Sequence, residues 1–387
     1  MPCDCAIFGV FLKAMQTKVV KLDAEKIDSA EIKEAAKLVD SGALVAFPTE
    51  TVYGIACRVE TASLSRLNDL KGRRADKRYT LHIGRKTDVK KYVPSIGLRA
   101  EKLIRNAWPG PLTLVFELDQ ADIDKQKNRL DKEVFENLYK DNSIGIRCPE
   151  DRIASKLLQL IKNSVVAPSA NITGHSPATE PSQVLAQFAG RIELLLDAGA
   201  CKYKKSSTVV KIGKKGLKIL RDGVYSQADL ETLSQIKFLF VCTGNTCRSP
   251  MAEGIFRKYL AEKLGCKVDQ LKKKGYKLSS AGTVGLAGMP ASPQTIAVCA
   301  TKGIDLRAHK SRRLSPRLIE EYDFVFVMDR MQRQQILTLC PDVADKCVLL
   351  AENKDISDPI GRPKQVYNNC AKLIEQAIKN RIDELVI

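Results

Sequence analysis

Histidine, tryptophan and long apolar segments are scarce in this chain of 387 residues, which contains 3 histidines and 1 tryptophan. Zinc sites usually need several histidines and cysteines at regular spacing, so the scarcity of histidine disfavours a zinc protein. No apolar run approaches the roughly 20 residues of a membrane-spanning helix. The short apolar run at 6–12 follows Asp4 and precedes Lys13, which is the wrong polarity for a signal peptide. We therefore predict a cytoplasmic protein with no membrane partner.

A disulfide-type cysteine pattern is also missing. The 12 cysteines do not form a framework of short spacings. In a chain of this length, that favours reduced cytoplasmic thiols over disulfides. Cys3 and Cys5 are too isolated to indicate a metal site, and Met15 is an alternative start of the protein. We predict no metal site.

Two further features limit the function. The chain lacks a Gly-x4-Gly-Lys-Ser/Thr loop, which disfavours ATP binding of the Walker type. Acidic residues number 45 against 63 basic ones, so the net charge is +18. This excess predicts phosphate-bearing ligands such as ATP, pyrophosphate or a phosphoprotein, and it is compatible with a surface for tRNA. A lysine-rich surface also favours solubility, and no aromatic RNA-recognition motif is present, so RNA binding stays a hypothesis.

The most informative segment places a thiol and a guanidinium close together where a strand is predicted to become a helix. Apart from Lys237, the run 236–241 is apolar, as in a buried parallel strand, and Gly244 and Asn245 supply a turn. Ser249 and Pro250 then predict a helix start, with Ser249 as the N-cap and Pro250 in the first helical position. Backbone N–H groups and the helix N-terminus would together form a phosphate site.

The chemistry of this loop would come from Cys242 and Arg248. The field that attracts a phosphate also stabilises a thiolate, so Cys242 is the predicted nucleophile at phosphorus. Arg248 offers a planar fork for two phosphoryl oxygens, and Ser249 can hydrogen-bond to Cys242. Alternatively, Cys242 and Cys247 are buried cysteines or a redox or metal pair. The predicted supporting residues of the phosphate loop are Thr243, Gly244, Asn245, Thr246, Cys247 and Ser249.

From about Ile236 to the C-terminus, this loop and its flanking elements resemble the low-molecular-weight protein tyrosine phosphatases. That family needs an Asp-Pro near its end, and Asp358 with Pro359 matches it. The resemblance implies that Asp358 protonates the leaving atom when Cys242 attacks, and then activates the water that hydrolyses the phosphocysteine. It implies no cofactor, and a parallel sheet flanked by helices. The intervening segments are similar to the family's order of strands and helices: 279–283, 292–303, 309–314 and 322–329.

Two positions bear on the phosphatase substrate. Tyrosine-specific members usually carry aromatic residues after the acid, whereas Ile360 follows Pro359 here. Thr246 makes the loop resemble that of bacterial protein arginine phosphatases, in which this Thr is associated with acceptance of a phosphoguanidinium. The resemblance therefore favours phosphoarginine over phosphotyrosine. The alternative is that the β-branched Thr246 only shapes the loop and that the substrate is phosphotyrosine.

The N-terminal region combines cations with small polar groups at predicted loops. It begins with a predicted helix at Ala30–Asp40, ended by Ser41 and Gly42, and a strand at 43–47. The sequence predicts a cavity for a polyanion and a small polar co-substrate, and shows no hydrolytic nucleophile–base pair. The cations are Lys71, Arg73, Lys77, Arg147 and Arg221. The hydroxyl and amide groups are Thr49, Thr51, Ser143, Ser169, Asn171 and Ser207.

The Lys71-x-Arg73 and Ser169-x-Asn171 signatures make residues 17–233 resemble the YrdC-like threonylcarbamoyl-AMP synthases. This implies a twisted, mixed-sheet α/β domain that forms L-threonylcarbamoyladenylate from L-threonine, bicarbonate and ATP with Mg2+, releasing pyrophosphate, for the t6A modification of tRNA. Catalysis would be positioning and charge neutralisation. The implied threonine contacts are Thr51, His82, Arg147 and Ser207. The implied ATP contacts are Lys71, Arg73, Lys77, Ser143, Ser169, Asn171 and Arg221.

The predicted organisation is therefore α/β with two domains, 17–233 and 236–387, joined by a short polar linker at 226–235. Partners would include ATP, threonine, bicarbonate, a phosphoprotein and possible tRNA-modification proteins. The charged segment 119–142 is predicted to be a solvated helical insertion. A rival reading makes the N-terminal part a noncatalytic RNA- or nucleotide-binding module that targets a tyrosine phosphatase.

Overall fold

The computed structural model describes residues 15–23, 30–74, 77–213, 216–284 and 287–385. The predictions for Cys3, Cys5 and the apolar run at 6–12 lie outside these ranges. The chain divides into two compact units. The first runs to Ile96 and resumes from Leu103 to Leu230, and the second comprises Gly97–Lys102 and the residues from Glu231 onward.

The first unit is built on a mixed sheet. Its 10 strands have the order β1-β8-β2-β3-β7-β4-β6-β5-β9-β10 among the described residues. The sheet contains both parallel pairs, such as β4 with β6, and antiparallel pairs, such as β5 with β6. The strands are β1 (Lys18–Lys21), β2 (Val45–Phe47), β3 (Gly54–Arg58), β4 (Thr80–His82), β5 (Leu112–Glu117), β6 (Ser143–Arg147), β7 (Val165–Val166), β8 (Leu194–Asp197), β9 (Thr208–Gly213) and β10 (Gly216–Arg221). The predicted mixed-sheet α/β fold is confirmed.

The first helix buries an apolar face in the core of this unit. The prediction of α1 at Ala30–Asp40 is confirmed, and Gly42 follows it with φ of 91°, a value that glycine adopts without strain. Ile32, Ala35, Ala36 and Val39 of α1 are buried. The next helices are α2 (Thr61–Lys71), α3 (Leu98–Ala107), α4 (Gln120–Arg129), α5 (Lys132–Leu138), α6 (Arg152–Leu160), α7 (Pro181–Phe188) and α8 (Gln227–Leu233).

Two predictions for this half of the chain need correction. The segment 119–142 is helical as predicted, in α4 and α5, but it is not wholly solvated, because Ile123 and Gln126 are buried. The predicted linker at 226–235 is mostly the helix α8. Ser226 and Asp229 hydrogen-bond reciprocally to each other's backbone N–H at its start, and Leu230 is buried. The polar composition of 226–235 was therefore interpreted as a linker, although most of this segment forms a capped helix.

The second unit has a four-stranded sheet in the order β12-β11-β13-β14, and every pair is parallel. This confirms the predicted parallel sheet flanked by helices. The strands are β11 (Ile236–Cys242), β12 (Tyr276–Gly282), β13 (Phe324–Val327) and β14 (Cys347–Leu349). The helices are α9 (Arg248–Lys263), α10 (Pro293–Ala300), α11 (Pro316–Glu321), α12 (Arg330–Leu339) and α13 (Lys364–Leu385).

The core of this unit explains why β11 is central. Phe238 and Phe240 are fully buried and pack against Phe256 of α9 and Phe326 of β13. The apolar run predicted for this strand reflects burial on both faces of a parallel sheet. No helix in the described parts of the chain has the length and apolar character needed to cross a membrane.

The start of α9 differs from the prediction. The helix begins at Arg248, and Cys247 rather than Ser249 occupies the N-cap position. The prediction of Ser249 as N-cap is therefore wrong. The physical reason is that the Ser249 hydroxyl lies within hydrogen-bond distance of Cys242 Sγ, at 3.0 Å, and of the Ala281 carbonyl, at 3.3 Å, so it serves the loop instead of the helix end.

Candidate active sites

The phosphate loop predicted in the second unit connects the end of β11 to the start of α9. Asn245 has φ of 54°, which turns the chain within five loop residues. Neighbouring segments hold Asn245 from outside: the Arg312 N–H donates to its Oδ1 at 2.8 Å, and His309 Nε2 lies 2.8 Å from its carbonyl oxygen. Gly282 lies so close that a Cβ there would be 2.7 Å from the Thr243 carbonyl oxygen. The loop is thus clamped in one conformation.

The Cys242 sulfur lies among groups that can hydrogen-bond to it. It is buried at the end of β11, and the Asn245 N–H donates to it at 3.3 Å. The Ser249 hydroxyl is 3.0 Å from the sulfur, accepts a bond from Asn245 Nδ2 at 2.8 Å, and can donate its single proton either to the sulfur or to the Ala281 carbonyl at 3.3 Å. The sulfur therefore lies beside a backbone donor, a hydroxyl and the N-terminus of α9.

Arg248 is held between two acids beside this sulfur. Its Nη1 donates to Asp329 Oδ2 at 2.8 Å, and its Nη2 donates to Asp358 Oδ2 at 2.6 Å and to Thr243 Oγ1 at 3.1 Å. Burial disfavours the charged form, but Asp358, Cys242 and Asp329 outweigh it and raise the pKa of Arg248. Nε is buried without a partner among the described residues. The guanidinium is therefore fixed, charged and still able to donate.

Asp358 is placed where a general acid could reach a ligand in the loop. One carboxylate oxygen contacts Arg248, and the other accepts the Ile360 N–H at 3.2 Å. About a third of its side chain is exposed. Ile360 is 61% exposed, so an aliphatic side chain, and no aromatic one, stands directly after the Asp-Pro pair. The structure thus brings Cys242, Arg248 and Asp358 together.

The sequence prediction missed several residues around this site. Asp329, two residues after the end of β13, and Gln332 form a network with Thr243: Gln332 Nε2 donates to Asp329 Oδ2 at 2.8 Å and to Thr243 Oγ1 at 3.2 Å. His309 was given no role and in fact supports the loop. Asp329 could have been found, because the carboxyl ends of neighbouring parallel strands meet at one edge of the sheet.

Cys247 and Thr246 lie on the helix side of the loop. Cys247 is buried, 3.4 Å from Ser292 Oγ and 3.8 Å from Tyr367 Oη. Thr246 is half-buried, and its carbonyl accepts the Ser292 N–H at 2.9 Å. Gly244 is also half-buried, in the turn before them. These residues shape the loop around the reactive sulfur.

The first unit contains a cavity of about 250 Å3 whose wall is polar and cationic. Predicted site residues form much of this wall: Arg73, Lys77, His82, Arg147, Ser169, Ser207 and Arg221. No carboxylate belongs to the wall among the described residues. A more open groove of about 870 Å3 shares Val52 and Ser206 with this cavity. The cationic wall of the cavity suits an anion.

Four predicted residues do not line the cavity: Thr51, Lys71, Ser143 and Asn171. The Lys71 ammonium donates to the carbonyl oxygens of Ser169 and Asn171, behind the wall. Burial, with help from Arg73 and Lys77, lowers the pKa of Lys71 to about 7. Thr51 and Ser143 support cations of the wall. The Thr51 hydroxyl accepts from Arg147 at 2.6 Å, and the Ser143 hydroxyl accepts from Arg78 at 2.7 Å.

The cavity cations are held by the chain itself. Arg73 lies over the Tyr79 ring at 4.6 Å and donates to the Arg78 carbonyl at 2.5 Å, while its Nε is buried and finds no partner within the described residues. Arg221 donates to the Ser207 carbonyl at 2.8 Å and to its hydroxyl at 3.0 Å. Cations fixed in advance lose little freedom when an anion binds.

His82 is a neutral member of the cavity wall. Burial first, and the nearby Arg147 second, lower the pKa of His82 to about 3. Its Nδ1 lies 3.1 Å from the Thr80 carbonyl oxygen. Near neutral pH, His82 can therefore both donate and accept a hydrogen bond without adding a charge.

We expect acid to destabilise the first unit through His82. The unfolded chain binds a proton at His82 below pH 6.5 and the folded protein does not, so the stability from neutral His82 is present above pH 6.5 and is lost as the pH falls toward 3. His82→Gln should reduce the stability loss between pH 7 and pH 5 by about 2 kcal/mol. Urea unfolding followed by the fluorescence of Trp108, the single tryptophan, measures this.

The comparison of variant and wild type at each pH isolates His82 from Asp151. Burial raises the pKa of Asp151 to about 6, so protonation of Asp151 stabilises the folded state in acid and acts in the opposite direction. That contribution is common to both proteins and cancels in the difference. Equal acid losses in His82→Gln and wild type would show that His82 is not responsible.

Comparison with known proteins separates the same two regions. A family model described as telomere recombination, of the Sua5/YciO/YrdC group, matches residues 37–223, and a low-molecular-weight phosphotyrosine protein phosphatase model matches residues 237–386. The threonylcarbamoyl-AMP synthase of Pyrococcus abyssi is 31% identical over 238 residues, which cover 61% of this chain and 67% of that protein.

Two further similarities were found. The Escherichia coli K12 low-molecular-weight protein-tyrosine-phosphatase Etp is 32% identical over 151 residues, covering 38% of this chain and 93% of the relative. A solved structure of a double variant of P. abyssi Sua5 superposes with a TM-score of 0.50 at 24% identity, over 68% of this chain and 91% of its own; it supports the fold. The chain therefore belongs to two families of enzymes, the Sua5/YciO/YrdC threonylcarbamoyl-AMP synthases in its N-terminal part and the low-molecular-weight protein-tyrosine-phosphatases in its C-terminal part.

Proposed function

We propose that the N-terminal part forms L-threonylcarbamoyladenylate from L-threonine, bicarbonate and ATP, with release of pyrophosphate, and that the product serves the t6A modification of tRNA. The observation that supports this best is the cavity wall, in which Arg73 and Arg147 each have a buried Nε without a partner among the described residues. Buried donors without partners are costly, and oxygens of an anionic ligand would satisfy them.

The chemistry of this site would be positioning and charge neutralisation. Arg73, Lys77 and Arg221 would face the triphosphate, and His82, Arg147 and Ser207 would face the threonine side. Mg2+ would arrive with ATP as part of the substrate, because the described wall is made of cations, hydroxyls and a neutral imidazole, which are poor ligands for it. Fixed cations favour the transition state, in which negative charge moves onto the leaving pyrophosphate.

Pyrophosphate release measured with and without threonine and bicarbonate tests this proposal. Turnover of ATP that requires both co-substrates supports a synthase. Binding of ATP or tRNA without such turnover would favour the rival reading of a noncatalytic nucleotide- or RNA-binding module. Direct tRNA binding is tested separately by filter binding at increasing salt, where a phosphate-dominated complex weakens steeply.

We further propose that the C-terminal part dephosphorylates phosphoproteins through a phosphocysteine on Cys242. Cys242 would attack phosphorus, Arg248 would hold two phosphoryl oxygens, and Asp358 would protonate the leaving atom and then activate water. The contact of 2.6 Å between Arg248 and Asp358 keeps the acid beside the loop before substrate binds. A burst of leaving-group release, equal to the enzyme concentration, would reveal the covalent intermediate.

We propose phosphoarginine in preference to phosphotyrosine as the substrate of this part. The half-buried Thr246 and the exposed Ile360 support the preference: the side chain after the Asp-Pro pair is aliphatic and offers no aromatic face to stack on a phenol. An aliphatic wall still allows the methylenes of an arginine to pack. Phosphotyrosine stays the alternative, since the named relatives are tyrosine phosphatases.

A side-by-side assay with phosphoarginine and phosphotyrosine peptides decides between the two. The peptides should be matched in sequence, and each should be tested on wild type, Thr246→Ile and Thr246→Ser. A higher kcat/KM for phosphoarginine that reverses in Thr246→Ile, and persists in Thr246→Ser, supports the proposal. A wild-type preference for phosphotyrosine contradicts it while leaving the phosphatase assignment intact.

A further inference from the structure

Glu50 is a buried carboxylate in the first unit to which no role has been given. Glu50 is 3% exposed, and it lies between Thr49 and Thr51 in the loop after β2. Oε1 accepts from Arg147 Nη2 at 2.7 Å. Oε2 accepts the backbone N–H groups of Glu150 at 3.0 Å and Asp151 at 3.4 Å. Both oxygens are thus used by the chain, and Glu50 is not part of the cavity wall.

Arg147, in contrast, is part of the cavity wall and is bound on one side only. All of its side-chain hydrogen bonds found within the described residues start from Nη2, which donates to Thr49 Oγ1 at 3.3 Å, Glu50 Oε1 at 2.7 Å and Thr51 Oγ1 at 2.6 Å. Nε is buried and has no partner there. The anchored Nη2 faces the loop of Glu50, and the other two nitrogens of the guanidinium, Nε and Nη1, can still donate.

These contacts fix the orientation of the Arg147 side chain before a ligand binds. An arginine side chain loses rotamer entropy when a ligand must order it. Glu50 removes that requirement, because it is anchored to two backbone N–H groups and holds the arginine by its strongest, charge-assisted hydrogen bond. The anchor also supplies the negative charge that a buried guanidinium needs. The Thr49 and Thr51 hydroxyls could not supply it.

We propose that Glu50 is a positioning residue of the synthase: it orients Arg147 so that the remaining N–H groups of the guanidinium, on Nε and Nη1, receive the carboxylate of threonine. This inference rests on the proposed function of the N-terminal part. Glu50 does not touch the substrate and acts through Arg147. Its role is therefore specific to the amino acid substrate, whereas a carboxylate that only stabilised the loop would affect the amino acid and ATP alike.

The test is Glu50→Gln in the full chain. The Gln side chain has one oxygen and one NH2 group, so either Arg147 or the two backbone N–H groups would meet a donor instead of an acceptor. Arg147 also loses its counter-charge. The KM for threonine should rise at least about tenfold, which corresponds to the loss of one charge-assisted hydrogen bond, while the KM for ATP changes by less than about threefold. A threonine KM within about twofold of wild type, or an equal rise for both substrates, overturns the proposal.

Glu193→Gln is the matched control. Glu193 likewise pairs with an arginine, Arg66 at 2.6 Å, and its second oxygen accepts a backbone N–H, that of Leu44 at 2.9 Å. It is not part of the cavity wall. The control should lose stability and keep both KM values. A threonine-specific defect in the control as large as that in Glu50→Gln would also overturn the proposal.

Two provisions keep the test decisive. If Glu50→Gln does not fold, as judged by Trp108 fluorescence, Glu50→Asp replaces it: this variant keeps the charge but is about 1.5 Å shorter, and a misplacement of that size should still raise the threonine KM at least about threefold. A wild-type value in folded Glu50→Asp then overturns the inference. Wild type is assayed first, because the absence of threonine-dependent pyrophosphate release there contradicts the proposed function itself, separately from the role of Glu50.

Discussion

Cys242→Ser should reduce phosphatase activity at least about 10³-fold, because a hydroxyl without a strong base nearby is a much weaker nucleophile at phosphorus than a thiolate. The groups within hydrogen-bond distance of the sulfur, the Asn245 N–H and the Ser249 hydroxyl, are not bases that could remove a proton from an alcohol. Hydrolysis of a phosphoarginine peptide and of a phosphotyrosine peptide, measured at equal protein concentration, gives the loss for both leaving groups.

The neighbouring thiol provides the control for this prediction. Cys247 is buried in the same loop, but its sulfur lies near Ser292 and Tyr367 on the helix side. Cys247→Ser should therefore lose less than about tenfold, through loop packing only. Pyrophosphate release by the N-terminal part should be the same in all three proteins and confirms equal amounts of folded chain. Activity that survives in Cys242→Ser and disappears in Cys247→Ser would reverse the assignment of the nucleophile.

Arg73→Ala should reduce threonine-dependent pyrophosphate release about 10²-fold or more in kcat/KM. The guanidinium is held over Tyr79 at 4.6 Å, lines the cavity and keeps a buried Nε free of partners in the described chain, so an anion bound there gains a fixed charge-assisted donor. If its interaction strengthens as charge moves onto pyrophosphate, kcat should fall more than the KM for ATP rises. Initial rates over a range of ATP concentrations separate the two effects.

Arg74→Ala is the control for this change. Arg74 is the next residue, carries the same charge and is exposed, and it is not part of the cavity wall. It should lose less than about threefold, because an exposed charge at this distance acts through solvent and is screened by salt. Equal losses in the two variants would mean that the first unit needs positive charge in general and not a fixed guanidinium at position 73.

Much of the phosphatase site could be predicted because its parts are contiguous. The apolar run before Cys242, the turn at Gly244 and Asn245, and the guanidinium of Arg248 all lie within one strand–loop–helix segment. Local rules of strand burial and anion binding at helix ends apply directly to such a segment. Asp358 could be predicted only from the resemblance to the family, since an isolated Asp-Pro pair does not by itself indicate a function.

Other features could not be predicted, since they depend on residues far apart in the chain. The pairing of Glu50 with Arg147 spans 97 positions, and that of Arg248 with Asp329 spans 81. Nothing near Glu50 in the sequence distinguishes a buried carboxylate from a solvated one. The N-cap of α9 was placed at Ser249 because serine favours that position in general, but here the hydroxyl is committed to Cys242.

By itself, the sequence determined the two α/β domains and their families, because hydrophobic periodicity, turn chemistry and short motifs are local properties that the order of residues carries directly. The reactive groups that it names stay predictions. Only the tertiary structure decided which cations face the cavity and which serve as support. Lys71 illustrates this: its motif predicts an ATP contact, yet its ammonium lies on two carbonyl oxygens behind the wall. Burial and partners arise from packing between distant segments, and they set the charge and orientation on which catalysis depends.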